Sequence, residues 1–396
     1  MENIQSKNNY KVLSCSFIFL IMSIFPSLVY VLAGVGSLGV GYLISISITF
    51  LILILFCGKF YYINVVLSII ILTLIFIFSV DSFLIEPGKM SGSVLSLSLI
   101  MLSANMMAIY LCDMTDIEID NAIFITIITL LGFGIFGVIF KLNFLGYEYF
   151  PKSIFIFYEP SHYAITIGPI FVSSLLILKK YRLFISFSLL FISLSSQNLT
   201  MLIYWALGTW VAIENTKIKA AFLISVTVIL IFIYSYSSSS LDYYTERINI
   251  SQDSNNLSML VYLQGWDEMK KSFFDSYGFG LGFQQAGSNT PGVIAEKIYE
   301  ISNIYKNRQD AGFLSAKIII EFGFLGIIFT LLFLKMFISS VKSAKNSGNN
   351  ADKLICGIII SLFVEIFFRG QGYFTLGFYL LIVSINYKVI KSKVVL

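Results

Sequence analysis

The sequence predicts an all-α polytopic membrane protein of about twelve transmembrane helices with one large extracytoplasmic loop. Three observations carry that reading. Of 396 residues, 57% are hydrophobic and only 12% are charged, about half the charged share of an ordinary soluble domain, which excludes a soluble enzyme. Apolar runs such as Val12 to Ala33, Ile63 to Val80 and Ile123 to Phe140 approach or exceed the ~20 residues that carry a helix across a hydrocarbon core. These runs are apolar on every face, whereas the strands of a membrane β-barrel alternate apolar and polar residues.

In chain order, the predicted spans are 12–33, 38–57, 62–80, 92–112, 120–141, 162–178, 182–196, 198–213 and 217–236, followed by 313–336, 353–369 and 371–389. This divides the chain into nine spans over 1–236, with a short outer loop at 142–161, a large loop at 237–312, and three closing spans with a tail over 313–396. The stretch from Ser195 to Leu199 reads either as a bend in one helix or as the joint between two short ones. The first run is longer than a signal-peptide core and has no small-residue cleavage site, so it is expected to remain as a span. Cys15, Cys57, Cys112 and Cys356 all fall in or at the ends of spans, and no disulfide framework is expected.

The net charge of +4 comes largely from short loops, so it reports topology and gives no nucleic-acid footprint. With the N-terminus inside, the inner segments collect Lys7, Lys11, Lys59, Lys179, Lys180, Arg182, Lys217, Lys219, Lys342, Lys345, Lys353, Lys388, Lys391 and Lys393, in all 14 of the 26 basic residues. The positive-inside rule then puts both termini in the cytoplasm.

From Leu241 to Ala311 the chain carries 9 acidic and 6 basic residues and no apolar run long enough to span. Helical spacing of apolar residues recurs at Leu257, Leu260, Val261, Trp266, Met269 and Phe273, and again at Ile294, Ile298, Ile301 and Tyr305. Gly278, Gly280 and Gly282 punctuate the end of the first pattern, and Pro291 sits at the start of the second. An ordered outer segment is expected, either a cap packing its own small core on the membrane domain or a lid over a substrate site.

The loop before the sixth span holds Tyr158, Glu159, Pro160, Ser161, His162 and Tyr163, including the one histidine of the chain. A carboxylate and an imidazole three residues apart, with Pro160 placed to start a helix, suit proton abstraction from the first turn. Either Glu159 raises the basicity of His162 or Glu159 is itself the base. The plainer reading is a helix cap beside a solvated histidine.

Between the last two spans lie Glu365, Phe368, Arg369, Gly370, Gln371, Gly372, Tyr373 and Phe374. An intramembrane carboxylate needs a partner. Glu365 and Arg369 either pair along one helix, or Arg369 is free to hold a phosphate with its fork of donors. Lys317 and Glu321, also four apart, read as a structural pair. Asp113, Asp116, Glu118 and Asp120 form an acidic cluster whose ligand type suits Mg²⁺ or Mn²⁺. It falls on the cytoplasmic side, away from the other motifs, and is expected to be a solvated turn, with no metal and no cofactor.

The Glu159–Pro160–Ser161–His162 stretch before a span, the late outer loop with Gly278 to Gly282, the Asp310–Ala311–Gly312 lead into a span with Lys317, Glu321 and Gly323, and the closing Arg369–Gly370–Gln371–Gly372–Tyr373–Phe374 together resemble the O-antigen polymerase (Wzy) family. The resemblance implies a GT-C-type glycosyltransferase at the outer face of a bacterial inner membrane. Donor and acceptor would be glycans carried on undecaprenyl diphosphate, and a flippase and a chain-length regulator of the same pathway would be partners. It also implies that Glu159 or His162 deprotonates the acceptor hydroxyl and that Arg369 stabilises the leaving diphosphate. Arg247, Arg308, Asp310 and Tyr373 follow as further substrate contacts, and Tyr158, Tyr163 and Trp266 as surfaces on which sugars stack. An O-antigen ligase shares parts of this layout. A lipid-linked oligosaccharide flippase would instead line a central cavity with charge, and an ion-coupled transporter would show repeat symmetry.

Overall fold

The computed structural model describes residues 2–35, 37–77, 79–80, 87–142, 144–235, 242–248, 251 and 254–394. Among these residues the regular structure is helical, and the only β-type pairing is an isolated bridge between Ile154 and Phe157. The helices are α1 (Glu2–Leu32), α2 (Leu38–Phe56), α3 (Tyr62–Ile77), α4 (Pro87–Cys112), α5 (Asp116–Ile139), α6 (Pro160–Ile177), α7 (Arg182–Ser195), α8 (Leu199–Ala212) and α9 (Thr216–Ser235). After the ninth come α10 (Asp242–Ile248), α11 (Leu257–Asp275), α12 (Val293–Ser302), α13 (Leu314–Ser343), α14 (Asn350–Phe367) and α15 (Leu376–Val394).

Each predicted span falls on a helix, because a long apolar run has no other way to satisfy its backbone in lipid. Six helices among the described residues are long and apolar enough to cross a membrane, in α1, α2, α4, α5, α6 and α13, with shorter apolar helices at α3 and α8. The outward face of α7 likewise carries apolar side chains at helical spacing, in Leu183, Phe184, Phe187, Phe191 and Leu194. Exposed stripes of this kind mark a surface made for an apolar surround. Phe78, at the end of the third predicted span, and residues 237–241, 249–250 and 252–253 of the outer segment lie outside the described residues.

One boundary left open in the sequence is resolved and another differs from expectation. The joint at 195–199 is resolved into two helices, broken where Gln197 adopts a left-handed backbone with φ 48°. The last span begins at Leu376 instead of residue 371, because Gly372 turns at φ 77° and Thr375 then starts the helix by accepting the Phe378 N–H at 3.0 Å.

At the centre lie α6 and α14, the first buried along nearly its whole length and the second over most of it. They run antiparallel at close approach. Gly357 lies on the Ser173 backbone, where a Cβ would meet the Ser173 Cα at 2.5 Å, and the Ser173 hydroxyl donates to the Leu354 carbonyl at 3.1 Å. Small residues at the contact are how apolar helices gain packing contacts when lipid is as apolar as the helix.

Among the described residues, the segment between α9 and α13 packs as a cap on the bundle. α11 packs on α12 and on α13. It buries Leu260 and Val261 against Ile294 and Ile298, while Tyr262 and Met269 pack on Phe313, Ala316 and Ile320. Its anchor is a break inside α13, where Gly323 takes φ 53° and ψ −123°, a conformation closed to side-chain-bearing residues. The carbonyls freed there are met by the glycine turn after α11. The Leu281 N–H donates to the Ile320 carbonyl and the Gly282 N–H to the Glu321 carbonyl, both at 2.9 Å, and the Phe324 N–H returns to the Gly278 carbonyl at 2.8 Å. Backbone groups that lipid could not satisfy are thereby paired, and the segment is fixed to the bundle.

Candidate active site

The two central helices each end in a charged residue at the same end of the bundle. Pro160 starts α6, its missing N–H and fixed φ suiting the first helical position, so Glu159 is held in extended backbone at the cap position. Its carboxylate does not cap the helix. It accepts from the Ser161 hydroxyl and lies 3.9 Å from Arg369 Nη2. On the other helix, α14 stops at Phe367. The N–H groups of Phe368 and Arg369 both donate to the Val364 carbonyl, at 2.9 and 3.0 Å, and the Gly370 N–H donates to the Gly312 carbonyl at 2.9 Å. The Ser315 hydroxyl adds a bond to the Ile366 carbonyl at 2.8 Å. Arg369 is thus seated where α13 and α14 meet. Its Nε is buried without a partner, so part of its donor fork is unspent.

Glu159 and Arg369 open onto a cavity of about 840 Å³, within the size range of small-ligand sites. Its walls come from the end of α5 (Gly137, Val138), the 141–161 segment, the α7–α8 joint, Arg247 of α10, Ser258, Met259, Val261 and Tyr262 of α11, and Phe368 with Arg369. Lys141, Lys152, Arg247 and Arg369 face one acidic residue, Glu159, so the cavity is built for an anion with a single carboxylate set among cations. No family model, curated protein or solved structure matches the chain. The site therefore has to be read from its own chemistry.

Of the residues singled out in the sequence, the structure brings Glu159, Arg369 and Arg247 to this cavity and leaves others elsewhere. His162 is buried one turn into α6, with Nε2 3.3 Å from the Tyr42 hydroxyl, Nδ1 unpartnered, and the rings of Phe157 and Tyr158 around it. It does not line the cavity, and it is not solvated. Tyr158 packs its ring on Tyr30 and His162. Burial pushes the Tyr158 phenol well above its ordinary value, with the neighbouring Glu159 carboxylate adding to the effect, so it stays protonated. Tyr163 is fully buried and donates to the Leu130 carbonyl at 2.9 Å.

Arg308 pairs with Glu268 at 3.0 Å and donates to the Asn289 carbonyl at 2.8 Å, tying α11 to the loop that precedes α12. Asp310 and Tyr373 belong to a second network around Lys317. Lys317 lies 3.2 Å from Glu321 and 4.0 Å from Asp310, and it donates to the Gln309 carbonyl. The Tyr373 hydroxyl donates to Glu321 at 2.7 Å. This buried pair holds the 309–312 turn against the 370–375 loop, and so supports Arg369 from behind. Glu365 does not pair with Arg369. It is buried, accepts from the Thr375 hydroxyl at 3.0 Å, and keeps Oε1 without a partner. Trp266 packs its ring at a tilt on Phe313, with ring centres 5.1 Å apart.

The acidic cluster sits at the start of α5, whose 24 residues place it about 36 Å from the cavity end at 1.5 Å per residue. Its carboxylates are used locally. Glu118 forms a capping box with Thr115, while Asp116 and Asp120 accept from the Asn350 backbone and side chain, each at 2.6 Å. Asp116 and Asp120 thus tie α5 to α14, while Asp113 and Asp116 stay exposed, as expected of a solvated turn. Basic residues gather at this same end, where Lys11 donates to the Asp113 carbonyl at 2.8 Å and Lys391 pairs with Asp352.

Cavity residues that the sequence motifs did not single out are Lys141 and the group from Ser195 to Thr200. A signal was present in the second case, since Ser195, Ser196, Gln197, Asn198 and Thr200 form a polar cluster between two apolar runs.

Proposed function

We propose that this chain is a lipid-linked glycan polymerase of the O-antigen type, a GT-C-like glycosyltransferase with about twelve spans in a bacterial inner membrane, its cavity facing the periplasm and both termini in the cytoplasm. The observation that carries this reading is one cavity in which a carboxylate that does not cap its helix stands 3.9 Å from an arginine with a free donor. Glycosyl transfer from a polyprenyl diphosphate needs those two groups side by side. The acceptor hydroxyl gives its proton to Glu159 as its oxygen forms a bond to the anomeric carbon of the donor. The bond from that carbon to the diphosphate oxygen breaks. The departing electron pair becomes charge on the diphosphate, which Arg369 neutralises with Arg247 and the two lysines nearby. Glu159 is favoured over His162 as the base because it lines the cavity, while His162 contacts Tyr42 and neighbouring rings.

Deleting the gene and profiling the surface polysaccharide tests the reaction class. Core carrying a single repeat unit is the expected result. Complete loss of attached units would assign the chain to ligation or flipping instead, with accumulated full polymer marking a ligase and accumulated single lipid-linked units a flippase. In the complemented strain, Glu159→Gln and Arg369→Ala should each lower polymer about 10²-fold or more at unchanged membrane abundance. Polymer at the wild-type level from both would remove this site.

A further inference from the structure

The cavity has a second wall that the chemistry of base and leaving group does not use. At the α7–α8 joint, Ser195, Gln197 and Thr200 line it without a charge among them. Serines and threonines inside the helices commonly spend their hydroxyls on the carbonyl four residues back, as Ser45, Ser96 and Thr126 do. The hydroxyls of Ser195 and Thr200 and the side-chain amide of Gln197 bond to no group among the described residues. Gln197 is also held at φ 48°, in the left-handed turn that ends α7, where its N–H donates to the Leu194 carbonyl and the Asn198 N–H donates to the Ser193 carbonyl. Ser195 and Gln197 are exposed and Thr200 is half-buried on this wall, so their polar groups are open to a ligand in the cavity. An amide offers two donors and an acceptor at once, and hydroxyls offer one donor and two acceptors. That set matches a ligand rich in hydroxyls and without charge of its own, and Tyr262 on the facing helix α11 supplies an aromatic surface on the same cavity.

Resting on the glycan-polymerase reading, we infer that the Ser195–Thr200 joint is the sugar subsite of this cavity, with Gln197 the residue that selects the acceptor glycan by hydrogen bonding to its hydroxyls. The cationic wall then takes the diphosphates and the neutral wall takes the sugar. A site built to bond a substrate hydroxyl discriminates strongly against analogues that lack it, since its polar groups are then left unpaired.

The test uses the full chain in nanodiscs and two probes titrated separately by calorimetry: undecaprenyl diphosphate without sugar, and the repeat-unit oligosaccharide released by mild acid from the source cell's polysaccharide. The variant is Gln197→Gly, which removes the amide while relieving the left-handed backbone, so it should fold at least as well as the parent. Oligosaccharide binding is expected to weaken about five- to tenfold, the loss of one or two neutral hydrogen bonds, with binding of the sugar-free lipid unchanged. Unchanged oligosaccharide affinity in Gln197→Gly, or equal weakening for both probes, overturns the assignment. Absence of binding by the sugar-free lipid to the parent chain, with oligosaccharide binding still dependent on Gln197, would overturn the polymerase reading and leave the sugar subsite standing.

Discussion

At the residue scale, Glu159 and His162 are three positions apart and yet face different surroundings. Glu159 keeps about a third of its side chain exposed and looks at Arg369, whereas His162 is fully buried against Tyr42. A general base contributes about 10²- to 10⁴-fold to a rate, while a buried ring mainly contributes packing. His162→Ala should therefore lower stability by about 1–3 kcal/mol, read as a lower thermal midpoint of the purified protein, with polymer formed per folded molecule nearly unchanged. A loss of about 10²-fold in polymer at an unchanged midpoint would make His162 the base and Glu159 its support. The sequence brought these residues to notice because a proline, an acid and the one histidine stand together before an apolar run. Which of the two meets the cavity was not legible there, since the direction in which a first-turn side chain points is set by Tyr42 of α2, 120 positions away.

At the scale of elements, the positions of the helices were legible and the break in α13 was not. A glycine within an apolar run reads as a tolerated residue, and Gly323 shows its role only beside the 278–282 turn that completes its backbone bonds. The glycines at 278, 280 and 282 look in sequence like ordinary punctuation, but they let the turn lie directly on the helix backbone. At Gly323 an added Cβ would collide with the Gly278 carbonyl, and its combination of φ 53° with ψ −123° already excludes other residues. Gly323→Ala is expected to cost about 2–4 kcal/mol and to release the cap, so that limited proteolysis cuts between α11 and α12. Resistance equal to that of the parent would show that the cap is held mainly by its packing on Phe313 and Ile320. The roles of Arg308, Asp310 and Tyr373 were hidden for a related reason. A sequence shows a charge or an aromatic ring near a motif, and only the fold shows that Glu268 or Glu321 has already claimed it.

For the whole molecule, the layout follows from two central helices whose burial leaves their ends no freedom. α6 and α14 pack along their length through Ser173 and Gly357, and the residues just beyond them, Glu159 and Arg369, meet because the helices that carry them do. The α7 and α8 helices of 14 residues each are about 21 Å long, well short of the ~30 Å hydrocarbon core. Their joint thereby leaves room for the cavity at one end of the bundle. A cap fixed at Gly323 closes over that room and supplies Arg247 and Tyr262 to it. Segregation of charge along the molecule matches the same plan, with the acidic and basic ties at the α5 start on one side and the cationic cavity at the α5 end on the other.

The most direct measurement is reconstitution of the purified full chain in liposomes with undecaprenyl-diphosphate-linked repeat units from a strain lacking this gene, followed by electrophoresis of the lipid-linked products. A ladder of joined units from the parent, reduced to the single unit in Glu159→Gln, is the expected result. An unextended single unit with the parent chain, or a full ladder with Glu159→Gln, would contradict the account.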